Sequence, residues 1–152
     1  MPTFVKSVLI KAPVETVFRF HEQEDALHLL SPAFPSVRVI RKHGGLEPGS
    51  SVELRIGPFR WFALHSAFEK NHLFEDRQIS GPFAEWIHRH EFQPVGNLTR
   101  LTDRIFYQLP GGTWVNRLFG WTVQFGLIQM FRRRHRATKF FCERGSDETH
   151  RA

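Results

Sequence analysis

The sequence predicts an α+β fold in which one curved antiparallel sheet of seven strands is covered by a long C-terminal helix. Seven segments between residues 3 and 108 alternate apolar and polar side chains, as strands do. Short turns rich in Gly and Pro join the last six of them, so these six strands should be antiparallel neighbours. After Pro110–Gly111–Gly112 the apolar spacing changes to a helical period. The helix that follows is the only predicted element large enough to cover the sheet.

The first 30 residues predict a strand and two short helices. Thr3–Lys11 alternates, although Lys6 interrupts its apolar face. Pro13 suits the first turn of a helix, and Val14–His21 has apolar residues at helical spacing. A second short helix is predicted for Glu22–Leu30.

Three more strands are predicted before the centre of the chain, at Ser36–Lys42, Ser51–Ile56 and Phe59–Glu69. The third carries apolar residues on both faces. Its inner face therefore cannot be assigned from the pattern alone.

The segment from Phe74 to Tyr107 predicts the last three strands, at Leu73–Ser80, Ala84–Gln93 and Leu98–Gln108. Because side chains alternate along a strand, each face can be listed. One face is mostly charged and suits solvent: Glu75, Arg77, Glu85, Ile87, Arg89, Glu91, Arg100, Thr102 and Arg104. The other mixes large apolar groups with polar ones: Phe74, Asp76, Gln78, Trp86, His88, His90, Phe92, Thr99, Leu101, Asp103, Ile105 and Tyr107.

An ordinary core excludes Asp, Gln and His unless they are paired, whereas a ligand cavity combines aromatics with a few polar groups. This mixed face therefore predicts a cavity.

The C-terminal helix is predicted from Trp114 to about Phe141, with Thr113 as its N-cap. Residues 1–144 should form a single domain, followed by a flexible tail at 145–152. The helix has two apolar stripes. The first is Val115, Phe119, Val123, Leu127, Met130, Ala137 and Phe141, and the second is Trp114, Leu118, Trp121, Phe125 and Ile128.

Charge and composition limit the classes of partner and the cellular location that we expect. The net charge is +6, but much of the excess lies in one run near the end of the helix and no nucleic-acid motif accompanies it, so we expect no nucleic-acid partner. The one cysteine, Cys142, excludes a disulfide within the chain and favours a cytoplasmic location. No segment has the roughly 20 uninterrupted apolar residues that a membrane span needs.

Four segments resemble the START-like helix-grip superfamily, also called SRPBCC or polyketide cyclase/dehydratase-like, and its small bacterial single-domain ligand-binding branch. They are Ile10–Phe18, Phe74–Phe83, Trp86–Phe92 and Thr99–Asp103 with Tyr107. The resemblance implies a sheet wrapped around the C-terminal helix with a deep cavity between them. Members bind lipids, sterols, polyketides and other apolar molecules, and some catalyse cyclisation or dehydration. The superfamily shares no single catalytic motif, so the resemblance identifies no catalytic residues.

The candidate site residues come from the mixed face and the adjacent helix. His88, His90 and Asp103 are candidates for general acid–base catalysis, since a carboxylate can orient a histidine. A structural, fully hydrogen-bonded polar network is the alternative. The predicted ligand-binding residues are Trp61, Asp76, Gln78, Trp86, His88, His90, Phe92, Asp103, Tyr107, Phe119 and Val123.

A metal site receives little support from the sequence. His88 and His90 have a spacing that suits metal ligands, and Asp76 or Asp103 could add a carboxylate. No third ligand is fixed by the pattern, however, so we predict no metal and no cofactor.

The leading hypothesis is a carrier or sensor that binds an apolar or amphipathic small molecule, which requires a void of roughly 300 Å³ or more. The first alternative is a cyclase/dehydratase-type enzyme. The second is an interaction protein whose C-terminal helix makes weak contact with a partner or a membrane surface. The sequence leaves open a monomer or a homodimer.

Overall fold

A computed structural model describes residues 1–31 and 36–151, with side chains up to residue 144. The predicted tail at 145–152 lies outside the part with described side chains, so the tail and the domain boundary stay predictions. In chain order the elements are β1 (Thr3–Ile10), α1 (Val14–Glu22), α2 (Ala26–Leu30), β2 (Val37–His43), β3 (Ser51–Ile56), β4 (Phe59–Glu69), β5 (Leu73–Ser80), β6 (Glu85–Val95), β7 (Leu98–Gln108) and α3 (Thr113–Arg151).

The seven strands form one antiparallel sheet in the order β1-β7-β6-β5-β4-β3-β2. The predicted α+β helix-grip architecture is therefore confirmed. The first strand pairs with the last, and the other neighbours follow chain order. The register places Asp76 opposite His88 and His90 opposite Asp103. Because directly opposite side chains lie on the same face about 5 Å apart, this register builds the polar centre of the inner face.

Two apolar clusters flank that polar centre. In the first, Phe18 of α1 lies edge-on to Phe92 at a ring-centroid distance of 5.0 Å. In the second, Phe131 of α3 packs against Phe4 at 5.4 Å. The clusters contain eight of the sixteen phenylalanines, and each fully buried one contributes roughly 1.5–3 kcal/mol of burial free energy.

Strand β4 changes its inward-facing residues along its length. Trp61, Ala63 and His65 are buried on the inner face. A register shift between His65 and Ala67 then turns Phe68 inward, where its ring meets that of Phe18 at 5.7 Å. The bulge explains why strict alternation could not assign the inner face of this strand.

Helix α2 is shorter than predicted, because α1 continues to Glu22 and the second helix spans only Ala26–Leu30. Helix α3 begins at Thr113, and the carbonyl of Gly112 accepts the hydrogen bond from the Asn116 N–H. Gly112 therefore occupies the N-cap position predicted for Thr113.

The buried face of α3 overlaps the first stripe only in part: Leu127 is buried, and Val123, Met130 and Ala137 are half-buried against the core. The buried face consists of Gly120, Leu127, Phe131, His135, Thr138 and Cys142. Residues of the second stripe remain exposed, with Trp114 at 75% and Trp121 at 70%. The pattern was misleading because this face contains a glycine, a threonine and a histidine, while large apolar side chains lie in solvent. No described helix is long and apolar enough to span a membrane.

Candidate functional site

The polar centre of the inner face is one carboxylate bonded by three imidazoles. Asp103 of β7 accepts hydrogen bonds from His88 Nε2 at 2.9 Å, His90 Nδ1 at 2.8 Å and His135 Nε2 at 2.5 Å. All four side chains are buried. We call these four residues the Asp103 cluster. Strand alternation places His88 and His90 on one face, whereas His135 arrives from α3.

The cluster lies between the two apolar clusters and touches both. The His90 ring stacks on Phe74 at a centroid distance of 4.1 Å, and the His88 ring lies edge-on to Phe131 at 5.3 Å. Such packing excludes water, so the hydrogen bonds to the carboxylate operate in a low-dielectric setting. The rings are therefore held by packing as well as by Asp103.

The pKa values of the residues in the Asp103 cluster shift in different directions. Burial alone would raise the pKa of Asp103, but the charge of His90 and the three imidazole hydrogen bonds lower it well below its ordinary value. Burial opposes protonation of His90, yet Asp103 reverses this and raises its pKa. Burial and the charge of His90 lower the pKa of His88 to about 4. At neutral pH an anionic Asp103 and a neutral His88 therefore lie side by side.

Asp76 lies beside the cluster without belonging to it. Its Oδ2 is 3.8 Å from His90 Nε2, which is too long for a hydrogen bond. Burial favours its neutral form, but His90 and the other nearby histidines outweigh this and lower its pKa. Only 19% of its side chain is exposed, and its contact with His90 partly compensates its burial.

The side-chain amide of Gln78 forms hydrogen bonds with the backbone of the neighbouring turn. Its Nε2 donates to the Phe83 carbonyl at 2.7 Å, and its Oε1 accepts from the Phe83 N–H at 3.2 Å. The Gln78 side chain therefore stabilises the turn that follows β5. A ligand-binding role for Gln78 stays a prediction, and it would require these bonds to break.

The predicted aromatic residues lie in separate places. Trp61 and Trp86 form an edge-on pair at 5.1 Å in the second apolar cluster. Tyr107 is fully buried there, and its hydroxyl donates to the Gly120 carbonyl at 3.3 Å. Phe92 belongs to the first cluster, around Phe18. On α3, Val123 packs against the second cluster, whereas Phe119 is 55% exposed.

The cavity at the Asp103 cluster is small, about 10 Å³, which gives room for one water at most. Phe131 and His135 occupy the space that the sequence assigned to a ligand, so the expected void of roughly 300 Å³ is not present there. A larger open cleft of about 340 Å³ lies at the start of α3, and its lining includes none of the predicted site residues. The lining of the small cavity is His21, Leu30, His90, Leu101, Asp103, Phe131, Arg134, His135 and Thr138.

Sequence reasoning missed His21, His65, Arg134 and His135. His135 follows Phe131 by four residues on one helix face, but it is surrounded by arginines that suggest a solvated helix end. His21 was assigned to a helix but not to the site, and burial lowers its pKa to about 4. A helix-periodicity argument anchored on the buried Phe131 could have found His135.

The comparisons agree with this architecture. Residues 10–136 match the family described as polyketide cyclase / dehydrase and lipid transport. The chain belongs to this family. The match and the fold together confirm the START-like helix-grip assignment made from the four sequence segments. A comparison with curated proteins finds no match.

Solved structures share the fold at low identity. The protein TTHA0849 of Thermus thermophilus is 19% identical, with a TM-score of 0.67 and coverage of 90% of this chain and 97% of that one. A START superfamily protein of Mycobacterium smegmatis is 15% identical, with a TM-score of 0.68 and coverage of 93% and 97%. Norcoclaurine synthase of Thalictrum flavum is 12% identical, with a TM-score of 0.68 and coverage of 92% and 85%.

Proposed function

We propose that this protein binds an amphipathic small molecule on the inner face of its sheet. The observation that carries the proposal is the Asp103 cluster, a buried group of one carboxylate and three imidazoles beside the Trp61–Trp86 pair. The cluster would contact the polar group of the ligand, and the aromatic pair its apolar part. Small-molecule binding is general in this family, which supports the proposal.

Binding requires α3 to move away from the sheet, because the cavity of about 10 Å³ is far smaller than a ligand. The amino-terminal part of α3 is the segment best suited to move, since most of its large side chains are exposed. Four polar contacts restrain it. The Tyr107 hydroxyl donates to the Gly120 carbonyl, and Gln124 Nε2 donates to that hydroxyl at 3.1 Å and to the Thr3 carbonyl at 3.3 Å. The Leu109 N–H donates to Asn116 Oδ1 at 2.8 Å. Outward motion there would uncover Tyr107 and leave Val123 as a wall of the opened site.

Native mass spectrometry of freshly purified protein, with organic extraction, tests the proposal first. A retained molecule of fixed stoichiometry would identify the ligand class. One structural neighbour is norcoclaurine synthase in complex with dopamine and hydroxybenzaldehyde, so small aromatic molecules with polar groups form the first panel for titration. Asp103→Asn should weaken binding, and Glu91→Gln on the outer face should not. No retained molecule together with no saturable binding from the panel would contradict the proposal.

Acid–base catalysis of the cyclase/dehydratase type is the second candidate. The observation that favours it is His88, whose Nε2–H is fixed on Asp103, so that its Nδ1 carries the lone pair of a base. A substrate identified from the binding panel would be incubated with wild type, His88→Gln and the exposed-site control His72→Gln. Product formation that His88→Gln abolishes and His72→Gln preserves would establish catalysis. Unchanged substrate with wild type would leave binding alone.

Weak membrane contact is a further proposal, favoured by the exposed second stripe of α3. Its residues are followed on the same helix face by the exposed Arg132 and Arg136, a combination typical of helices that lie on anionic membranes. Sedimentation with anionic vesicles should be reduced by Trp121→Glu and unaffected by Phe59→Glu, a control with comparable exposure. Equal sedimentation with neutral and anionic vesicles would contradict electrostatic membrane contact. A dimer in light scattering that Trp121→Glu dissociates would assign the stripe to a second copy instead.

Location in the cytoplasm stays a prediction from the cysteine content. Cell fractionation of a tagged chain checks it.

A further inference from the structure

We propose that Asp76, His88 and His90 form a binding site for one divalent transition-metal ion, with Zn²⁺ as the best-matched metal. One ligand atom from each residue lies within 4.8 Å of the others. Two imidazole nitrogens and one carboxylate oxygen are a donor set that zinc accepts, with further positions left for water or substrate. The inference does not rest on the proposed organic ligand.

The spacing of the donors suits one ion. Bonds from zinc to nitrogen or oxygen are about 2.0–2.2 Å long, so two ligand atoms in a tetrahedral site are about 3.3–3.6 Å apart. His90 Nε2 and Asp76 Oδ2 are already 3.8 Å apart. The widest pair in the group would have to close by up to about 1.5 Å, which rotations of the side chains supply.

A cation beside Asp76 would stabilise its buried carboxylate. Asp76 is mostly buried, and its ion-pair contact with His90 at 3.8 Å is too long for a hydrogen bond, so its negative charge is only partly compensated. The register places His88 directly opposite it on one side and His65 directly opposite it on the other. A metal ion between Asp76 and the histidines would balance this charge.

Asp103 already holds both histidines in the orientation that a metal needs. It bonds His88 through Nε2 and His90 through Nδ1, which leaves His88 Nδ1 with a lone pair and directs His90 Nε2 toward Asp76, where a metal ion would displace its proton. Metal-binding histidines usually donate their second N–H to a carboxylate in this way, because the bond fixes the tautomer and the ring orientation. Asp103 would therefore be a positioning residue for the site.

His65 supplies a further donor at the edge of the group. It is buried on β4, and its Nδ1 has no hydrogen-bond partner in the described part of the chain. Rotation toward Asp76 would add a fourth ligand. Arg134 would oppose metal binding, because it lines the small cavity beside Asp103 and its positive charge repels a cation. The two carboxylates outnumber this one guanidinium.

The test is a metal titration of the full-length protein after dialysis against EDTA and removal of the chelator. Calorimetry with ZnCl₂ should show one saturable site per chain, and Co²⁺ should produce the visible absorption of a low-symmetry bound ion. Asp76→Asn and His90→Gln should each weaken Zn²⁺ binding by at least about tenfold. Asp103→Asn should weaken it about 10–100-fold through lost orientation. His72→Gln removes an exposed histidine outside the site and should leave the affinity unchanged.

Asp76→Asn decides the outcome if the histidine variants fold poorly. Asp76→Asn keeps the shape of the side chain and leaves the hydrogen bonds to Asp103 in place, so the metal-free variant should remain folded in a urea titration. Absence of saturable Zn²⁺ and Co²⁺ binding would overturn the proposal. Equal Zn²⁺ affinity in wild type and Asp76→Asn would also overturn it. Metal binding and organic-ligand binding are measured in separate experiments, so one proposal can fail while the other holds.

Discussion

Replacement of Asp103 by alanine should be among the most destabilising single changes in this protein. The carboxylate accepts hydrogen bonds from three buried imidazoles, at 2.9, 2.8 and 2.5 Å. Asp103→Ala leaves three donors without an acceptor, and each unsatisfied buried donor costs about 1–3 kcal/mol. Simple addition gives about 3–9 kcal/mol. One water could enter the small cavity once the carboxylate is gone and satisfy one imidazole. We therefore expect a loss of about 3–5 kcal/mol in the free energy of unfolding, the range measured when buried charge pairs are broken.

Urea unfolding monitored by the fluorescence of the four tryptophans measures this loss. Glu91→Ala is the matched control, because its ion pair with Arg104 at 3.3 Å lies on the outer face of the same two strands. That change should cost at most about 1 kcal/mol. If Asp103→Ala fails to fold, Asp103→Asn gives a smaller and measurable loss, since the amide oxygen still accepts from the imidazoles. A loss below about 1 kcal/mol for Asp103→Ala would refute the view that the cluster is a closed hydrogen-bonded network.

Three further predictions concern single side chains. The pKa of His21 is about 4 in the folded protein and about 6.5 in an unfolded chain, so stability is full above about pH 6.5 and falls as pH decreases toward 4. Between about pH 7.5 and 5, wild type should lose about 2 kcal/mol more unfolding free energy than His21→Phe, and parallel urea curves would contradict this. Cys142 is 2% exposed, and burial raises the pKa of its thiol to about 12. At about pH 8 its reaction with a thiol reagent should be at least about 10³-fold slower than in urea, and fast labelling of native protein would contradict the burial. Tyr107→Phe removes the bonds to Gly120 and Gln124, so it should cost about 1 kcal/mol. It should also speed amide exchange over residues 113–126, and unchanged exchange would show that these bonds do not restrain the helix.

Local periodicity was enough to predict the fold because each element repeats its own pattern. The alternation of Trp86, His88, His90 and Phe92 places them on one face whatever their neighbours are. Short turns then allow only antiparallel neighbours, and the predicted seven strands follow. The inner-face position of Asp103 follows from the same alternation.

Of the residues in the candidate site, only those on the strands could be predicted from the sequence. His135 and Asp103 are 32 residues apart, and their contact depends on how α3 is rotated about its axis. Rotation is set by packing against the sheet and not by the sequence of the helix. The large exposed side chains of the second stripe obscured it. The sequence offered Asp76 and Asp103 as alternative carboxylate ligands, and it could not choose between them because the strand register that places Asp76 opposite His88 is set by the turns and the packing of neighbouring strands.

The sequence by itself determined the order and type of the elements, the antiparallel neighbours among β2–β7 and the polar side chains of β5–β7 that face inward. These follow from repeats of two and 3.6 residues and from turn chemistry, which act over a few neighbouring positions. Only the tertiary structure decided that α3 buries His135 and exposes Trp121, that β4 switches faces at a bulge, and that the inner face closes to about 10 Å³. Each of these depends on side-chain volumes meeting across distant segments, and no local pattern encodes how such volumes fit together.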